Sequence, residues 1–475
     1  MKNLIITILV FTVFSSCDKK LDLAPENTLI SRDVFKSEAG TEQALAEGYY
    51  NLMRAVTGNI AYTYGDFTTP NLEHSVYYAT FDNAETDPKD EAVLAVWTNY
   101  YNSINTANSI IENVREFATY SEQKQDQFIS EARFIRALAY LDLLKFFGDG
   151  ALTGEFAKPG VPLQLTPFKG YNTGEYIGRS NNGAVYEQII KDITESIPHL
   201  PEQHSNDLGT RSRATKGTGY ALLSRVYLYM RQYENAYDAA SKVLDKSPAI
   251  YELTQNLLML FPENSAGTAK TLTKEYILAF PVSQMVSSST SANNNLGNGY
   301  FFKRSFWIPS SFINSFEPGD LRVSQLMFKG DQVFNTDRLN EFTTFKFNNS
   351  NGRDNVPVIR LAEIMLTAAE SYARTNGVSD ISVSLLNDVR SRSIPSATPY
   401  ATSDFSSPGE LINTILDERC RELAYEGHYR YDLIRTDRPL KNPDIRQDRK
   451  VLPIPQIEVD ITNGVITQNI GYTTP

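Results

Sequence analysis

The 475-residue sequence predicts a mainly α-helical protein, a scaffold of paired helices interrupted by two long irregular insertions. Three observations carry that reading. Apolar residues recur at helical spacing along most of the chain. Two stretches, 65–90 and about 250–355, lose that period and are rich in Asn, Ser, Thr, Pro and Gly. The strongest helical stretch, 214–248, reads as two helices joined by a tight turn. With 41% apolar and 11% aromatic residues but two cysteines, a large core must hold the fold without disulfide support.

The chain opens MKNLIITILVFTVFSSCDKK. Lys2 precedes an eleven-residue apolar run, Leu4 to Phe14, which is shorter than the roughly 20 residues a membrane-spanning helix needs. A positive start, a short apolar stretch and small residues read as a secretory signal. Ser15 and Ser16 lead directly into Cys17. That ending resembles the lipobox of bacterial lipoproteins, whose cysteine becomes the first residue and carries acyl chains, with Phe14 where leucine is usual. Residues 1–16 are therefore expected to be a lipoprotein signal peptide, and 17–40 a lipidated Cys17 with its polar tether. Lipidation leaves Cys420 without a partner, and the body, 41–475, is expected to meet the membrane through lipid alone.

The first helix is expected in TEQALAEGYYNLMRAV, where Ala44, Leu45, Tyr49, Leu52 and Met53 form one stripe and Thr41 can cap the start. The aperiodic GDFTTPNLEHSVYYATFDNAETDPKD follows; loops of that length in a compact domain are often functional. Helical spacing returns in EAVLAVWTNYYNSINTANSIIENVREF. There Val93, Val96, Tyr100 and Ile104 share the stripe of Trp97, which marks that ring as core. The next helix, EQKQDQFISEARFIRALAYLDLLKFFG, stops at Gly148 and Gly150.

From Ala214 the pattern fits a tetratricopeptide-like repeat, a helix pair of about 34 residues. Leu223, Tyr227, Ala236 and Pro248 fall in register with that consensus, Tyr220 replaces its tryptophan, Ser224 its glycine and Ala240 its phenylalanine. Small residues allow the helices to approach, large ones fill the groove, and Pro248 ends the second helix. A similar pair recurs as VPVIRLAEIMLTAAESYARTNG and ISVSLLNDVRSRS. The helical repeats thus cover about 41–249 and 356–430, with the irregular insertion at about 250–355 between them. Function is expected on the insertions.

Forty-five Lys and Arg against 56 Asp and Glu give a net charge of −11, mixed along the chain, which argues against nucleic acid or a polybasic membrane patch. There is no GxxxxGK[ST], GxSxG, HExxH or CxxC. His199 and His204 lack a third metal ligand and read as a solvated loop. Glu422 and Glu426, beside His428 in RELAYEGHYRYDL, share a helix face. They read as an ion-pair network holding the last helix, not as an acid–base pair, because carboxylate pairs are nearly unavoidable among 56 acids. No enzyme, metal or cofactor is expected.

The chain resembles the SusD/RagB family of Bacteroidetes outer-membrane lipoproteins nearly from end to end. The resemblance rests on the lipobox cysteine, SEARFIRALAYLDLLKFFGD, RLAEIMLTAAESYAR, LLNDVRSRS, ILDERCRELAYEGHYRYDLIRTDR and the closing LPIPQIEVDITNGVITQNIGY. Cys420 stands where the family commonly has a basic residue. The resemblance implies about four tetratricopeptide-like helix pairs, an irregular ligand face and no hydrolase activity. It also implies a cell-surface position on the outer membrane and a SusC-like TonB-dependent barrel as partner, to which captured oligosaccharide or polysaccharide is passed. Some branches of the family capture peptides instead, and a tetratricopeptide-like assembly lipoprotein is the alternative from another class.

Sugar rings stack their C–H faces on aromatic rings and need amide, carboxylate or guanidinium partners for their hydroxyls. The first insertion offers Tyr77, Tyr78, Phe81 and Asn83 for ligand binding; the second offers Asn298, Tyr300, Phe302, Arg304 and Trp307, with Phe301 beside them. In the family the ligand face comes from two such insertions, the second lying before a DLR segment, here Asp320 to Arg322.

Overall fold

The computed structural model describes residues 32–58, 60–168, 176–262, 272–281, 296–297, 299–300, 305–329, 341–349 and 354–473. Cys17, Asn298, Phe302 and Arg304 lie outside these described residues.

Three long helices open the fold. Helix α1 (Glu38–Thr57) begins at Ser37, whose Oγ accepts the Gly40 N–H at 3.1 Å. The expected cap, Thr41, instead lies inside the first turn, buried, and donates its hydroxyl to the Ser37 carbonyl at 3.1 Å. The helix starts earlier than its apolar stripe because the first turn, Glu38–Gly40, packs on nothing apolar and leaves no periodic mark. Helix α2 (Glu91–Phe117) is capped by Asp90, which accepts from Ala92 N–H at 2.8 Å and Val93 N–H at 3.4 Å. Helix α3 (Glu122–Phe147) ends at Gly148.

Nearly every residue of α3 from Phe128 onward is buried, because α1 and α2 pack on one side and α4 (Asn182–Ser196) on the other. A helix covered all round reads as apolar all round. Trp97 on α2 is 3% exposed and sits edge-on to Phe147 at 5.1 Å, as its stripe implied.

The repeat pair is α5 (Lys216–Tyr229) and α6 (Tyr233–Leu244), packed on each other, with Arg231 turning the chain at φ 60°. Ser224, Ala236 and Ala240 are fully buried where the helices approach. Helix α6 stops at Leu244, one turn ahead of Pro248. It packs on α7 (Leu361–Asn376), which in turn carries α8 (Asp380–Ser393) and α9 (Pro408–Glu422). The architecture is mainly helical and tetratricopeptide-like; among the described residues a large apolar core runs through it, with a small second cluster around Leu257, Phe261 and Tyr276. No helix among the described residues is long and apolar enough to cross a membrane.

Among the described residues, strands occur only as short pairs. Strand β1 (Glu73–His74) pairs with β5 (Phe306–Trp307), β2 (Pro159–Pro162) with β3 (Arg179–Asn181), β4 (Tyr276–Phe280) with β8 (Val356–Arg360), and β6 (Met327–Lys329) with β7 (Phe342–Thr344). The β8 strand corrects the expectation that helical structure resumes at 356. VPVI is a short apolar run without helical period, closed by Arg360, and its partner β4 supplies the ladder bonds. The helix proper starts at Leu361, whose N–H bonds the Glu275 carbonyl at 2.9 Å.

Candidate functional site

The two insertions meet. In the β1–β5 ladder Glu73 lies opposite Trp307 and His74 opposite Phe306, and the Ser75 N–H extends it to the Ser305 carbonyl at 2.8 Å. Ile308 then donates its N–H to Phe342 at 2.8 Å, which joins the ladder to the β6–β7 pair. Successive side chains on a strand point to opposite faces, so Phe306 turns inward and Trp307 outward.

Under the ladder lies a stack of rings. Phe306 is parallel to Phe67 at 5.7 Å, with 10° between their planes. Tyr78 lies 4.8 Å from Phe306 and 4.9 Å from Phe67, and Tyr77 stands edge-on to Tyr78 at 5.1 Å. Tyr77 is 74% exposed and its neighbour Val76 is 90% exposed.

A polar frame fixes the edge from behind. His74 Nε2 is 3.1 Å from Asp82 Oδ2, and its Nδ1 is 2.8 Å from the Ser75 carbonyl. Lys441 reaches across to Glu73 Oε2 at 2.8 Å and Asp82 Oδ2 at 3.5 Å. The other Asp82 oxygen is buried with no hydrogen-bond partner among the described residues. Asn83 caps the single-turn helix Ala79–Asp82 and leaves its side chain exposed.

Of the expected ligand residues, Tyr77, Tyr78, Asn83 and Trp307 therefore reach the surface around this ladder. Phe81 and Tyr300 do not: they are 3% and 1% exposed. Phe81 packs edge-on against Tyr64 and Phe67, and Tyr300 lies 5.2 Å from Phe306 and 5.6 Å from Phe347. They shape the face from beneath. The reading from sequence passed over Val76, which sits in the apolar triplet VYY of an otherwise polar loop, and the Glu73–Lys441 and His74–Asp82 contacts, which leave no local signal.

Both insertions are anchored on the turn that follows α9. Asp66, at the root of the first insertion, accepts the N–H groups of Gly427 at 2.7 Å and Tyr425 at 3.2 Å. From the second, Lys346 donates to Glu426 Oε1 at 2.6 Å and to the carbonyls of Glu422 and Ala424 at 3.0 Å each. Arg322 binds Asp320 at 2.7 Å, Glu418 at 2.7 Å and Glu422 at 3.2 Å.

Arg360 spans Glu426 at 2.7 and 2.8 Å and Glu422 at 3.0 Å, and also pairs with Glu275. Arg392 completes the cluster on Glu422 and Glu275. Burial alone would raise the Glu422 carboxyl, yet Arg392, Arg360 and Arg322 hold it well below the usual carboxylate range. Burial pushes the Lys346 ammonium down despite Glu426 beside it. These carboxylates are saturated by cations and closed to solvent, which is the network expected of Glu422 and Glu426. They do not share a helix, however. Helix α9 ends at Glu422, and Glu426 comes from a turn where Tyr425 and Gly427 adopt φ of 68° and 77°. His428 lies 4.0 Å from Glu363 instead.

The comparisons with known proteins agree with this architecture. The model described as "Starch-binding associating with outer membrane" matches residues 20–228, and the SusD family model matches residues 335–472. SusD-like protein P25 of Formosa agariphila is 24% identical, covering 98% of this chain and 99% of that protein. SusD-like protein P2 of the same organism is 26% identical over 80% of this chain and 81% of its own length. A SusD superfamily protein of Bacteroides vulgatus superposes with a TM-score of 0.76 at 21% identity, over 92% of this chain and all of the other. A structure described as a laminarin-binding SusD-like protein gives a TM-score of 0.72 at 23% identity, over 92% of this chain and 100% of its own.

The tetratricopeptide-like scaffold is that of the SusD superfamily, and members of the SusD family are cell-envelope nutrient-binding proteins. The chain belongs to the SusD family, whose members bind carbohydrate substrates and are not enzymes.

Proposed function

We propose that this protein captures a glycan on the edge formed by Tyr77, Tyr78, Asn83 and Trp307, and passes it to a SusC-like TonB-dependent barrel. The β1–β5 pairing carries the reading, because it joins the two insertions and leaves rings from both at the surface. Rings give a sugar its stacking platform, and the exposed Asn83 amide gives its hydroxyls a polar partner. The laminarin binding of a structural neighbour supports a glycan over a peptide. Asn298, Phe302 and Arg304 belong to the same proposed face by their place in the second insertion. Lipid on Cys17 tethers the body to the outer membrane, facing outward, so that ligand is enclosed between this edge and the barrel.

Calorimetry on the full chain in detergent, against plant, microbial and host glycans and a peptide mixture, tests capture. Binding to one glycan class, weakened by Tyr77→Ala with the helical circular dichroism unchanged, is the expected result. Binding to peptides alone would replace glycan by peptide as the cargo. Co-purification of a TonB-dependent barrel from native membranes, lost on Cys17→Ala, tests the handover and the anchor together.

A further inference from the structure

A second ring-floored cavity, of about 560 Å³, opens on a part of the fold to which neither insertion contributes. One face of α2 builds its floor: Trp97, Tyr101 and Asn105 follow one another at successive turns, with Asn102 alongside. The opposite wall comes from the C-terminal segment, with Glu458 and Ile461 on the short helix Gln456–Ile461. The third wall, Pro162 to Phe168, is bolted to α2. Tyr101 donates its hydroxyl to the Pro162 carbonyl at 2.9 Å, and Asn108 donates to the carbonyls of Gln164 at 2.9 Å and Thr166 at 3.1 Å. Asn105 Oδ1 accepts the Phe168 N–H at 2.7 Å. The cavity is thus formed before any ligand arrives, and its size lies within the roughly 300–1,000 Å³ of ordinary small-molecule sites.

Its polar groups are unspent. The Glu458 carboxylate is half-buried and has no ion pair or hydrogen bond among the described residues, and burial raises its pKa. The Asn102 amide and the Asn105 Nδ2 likewise donate to nothing described, and no Lys or Arg among the described residues lines the space. A purely apolar ligand would strand the half-buried Asn105 and Glu458 groups, at a cost of about 1–3 kcal/mol each. An anionic ligand would meet the Glu458 carboxylate with no described cation to offset it. We infer that this cavity is a second carbohydrate subsite, selective for a short neutral oligosaccharide. Its rings lie on Tyr101, with the buried Trp97 directly beneath at 4.8 Å, and its hydroxyls bond Asn102, Asn105 and Glu458. The inference rests on the reading of the protein as a glycan binder and adds a site of its own to it.

The chain has two tryptophans, and each reports one site: Trp97 the cavity, Trp307 the insertion edge. The full-length Trp307→Phe protein is titrated with laminaritriose, maltotriose, cellotriose and mannotriose, with trigalacturonate as the acidic probe, while Trp97 emission is followed. Saturable change with at least one neutral sugar and none with trigalacturonate is expected. Asn102→Ala and Glu458→Gln, both at the cavity wall, should each weaken the Trp97-reported affinity about tenfold. The Trp97→Phe protein, read at Trp307, tests the insertion edge separately. A response at Trp307 with a silent Trp97 overturns the second subsite and leaves the edge standing. A response at Trp97 alone does the reverse, and silence at both overturns both. Equal binding of trigalacturonate, or a Trp97 response indifferent to both wall substitutions, also overturns the assignment.

Discussion

The Asp66 carboxylate accepts the backbone N–H of Gly427 at 2.7 Å, tying the root of the first insertion to the turn after α9. That contact helps fix where the aromatic edge sits on the scaffold; Lys346 brings the second insertion to the same turn, and Arg322 ties it to the last turn of α9.

Asp66 makes the fold sensitive to alkali. Burial raises its pKa from 3.8 to about 8; the Gly427 and Tyr425 N–H groups and Lys346 oppose that shift, while Glu426 adds to it. The folded carboxyl therefore keeps its proton where the unfolded one has lost it, and stability falls as pH rises through that window. Urea denaturation at about pH 5 and about pH 8 should show a loss on the order of a few kcal/mol, and Asp66→Asn should flatten it. An unchanged slope in the Asn variant would show that Asp66 is ionised throughout.

Gly65 lies against the same turn. A Cβ there would overlap the Gly427 carbonyl, which is backbone and cannot swing aside. Gly65→Ala should cost about 1–3 kcal/mol and loosen the first insertion, read as faster amide exchange over 65–83. Exchange confined to other segments would contradict this link.

Arg360 is the cation shared by Glu422, Glu426 and Glu275. Arg360→Leu leaves three buried carboxylates short of a partner and should destabilise the fold by about 3–5 kcal/mol. Arg438→Leu, which breaks a surface pair with Asp417, should cost under about 1 kcal/mol. Comparable losses in the two variants would refute the cluster as the hub.

Trp307 and Tyr77 are outward rings whose neighbours carry the packing. Trp307→Ala or Tyr77→Ala should weaken glycan affinity about tenfold with less than about 1 kcal/mol of stability lost. Phe81→Ala, a core change, should instead cost about 3–5 kcal/mol of stability. Calorimetry and thermal unfolding on the same preparations separate the two effects.

Cys420 should be chemically quiet. Burial pushes its thiol up to about 12, against the opposing Asn71 amide that donates to Sγ at 2.9 Å. Cys420 is half-buried, so iodoacetamide at about pH 8 should alkylate the native thiol slowly and the unfolded one fast, by peptide mass spectrometry; equal rates would contradict the raised thiol.

Much of this was legible in the chain. The α2 and α3 helices span stretches whose apolar period is unbroken, and Trp97 fell in the core because its stripe neighbours did. Other features were not legible for identifiable reasons. The turn Glu38–Gly40 has no apolar mark, and VPVIR could be strand or buried helix until β4 was beside it. Phe81 and Tyr300 looked like surface platforms because an aperiodic loop gives no clue to which of its rings turns inward.

The sequence by itself determined the helical repeat scaffold, the family, and the two insertions as the places where function belongs. All three are written in local period and motif, which neighbouring residues enforce on one another. Only the tertiary structure decided that the insertions close on each other through two-residue strands, and that Asp66, Lys346, Arg322 and Arg360 converge on the end of α9 and the turn after it. It alone also built the cavity between α2 and the C-terminal segment. Those features join residues far apart in the chain, and two-residue ladders and buried charge clusters have no period. They exist only where the packed core brings their partners within hydrogen-bonding distance.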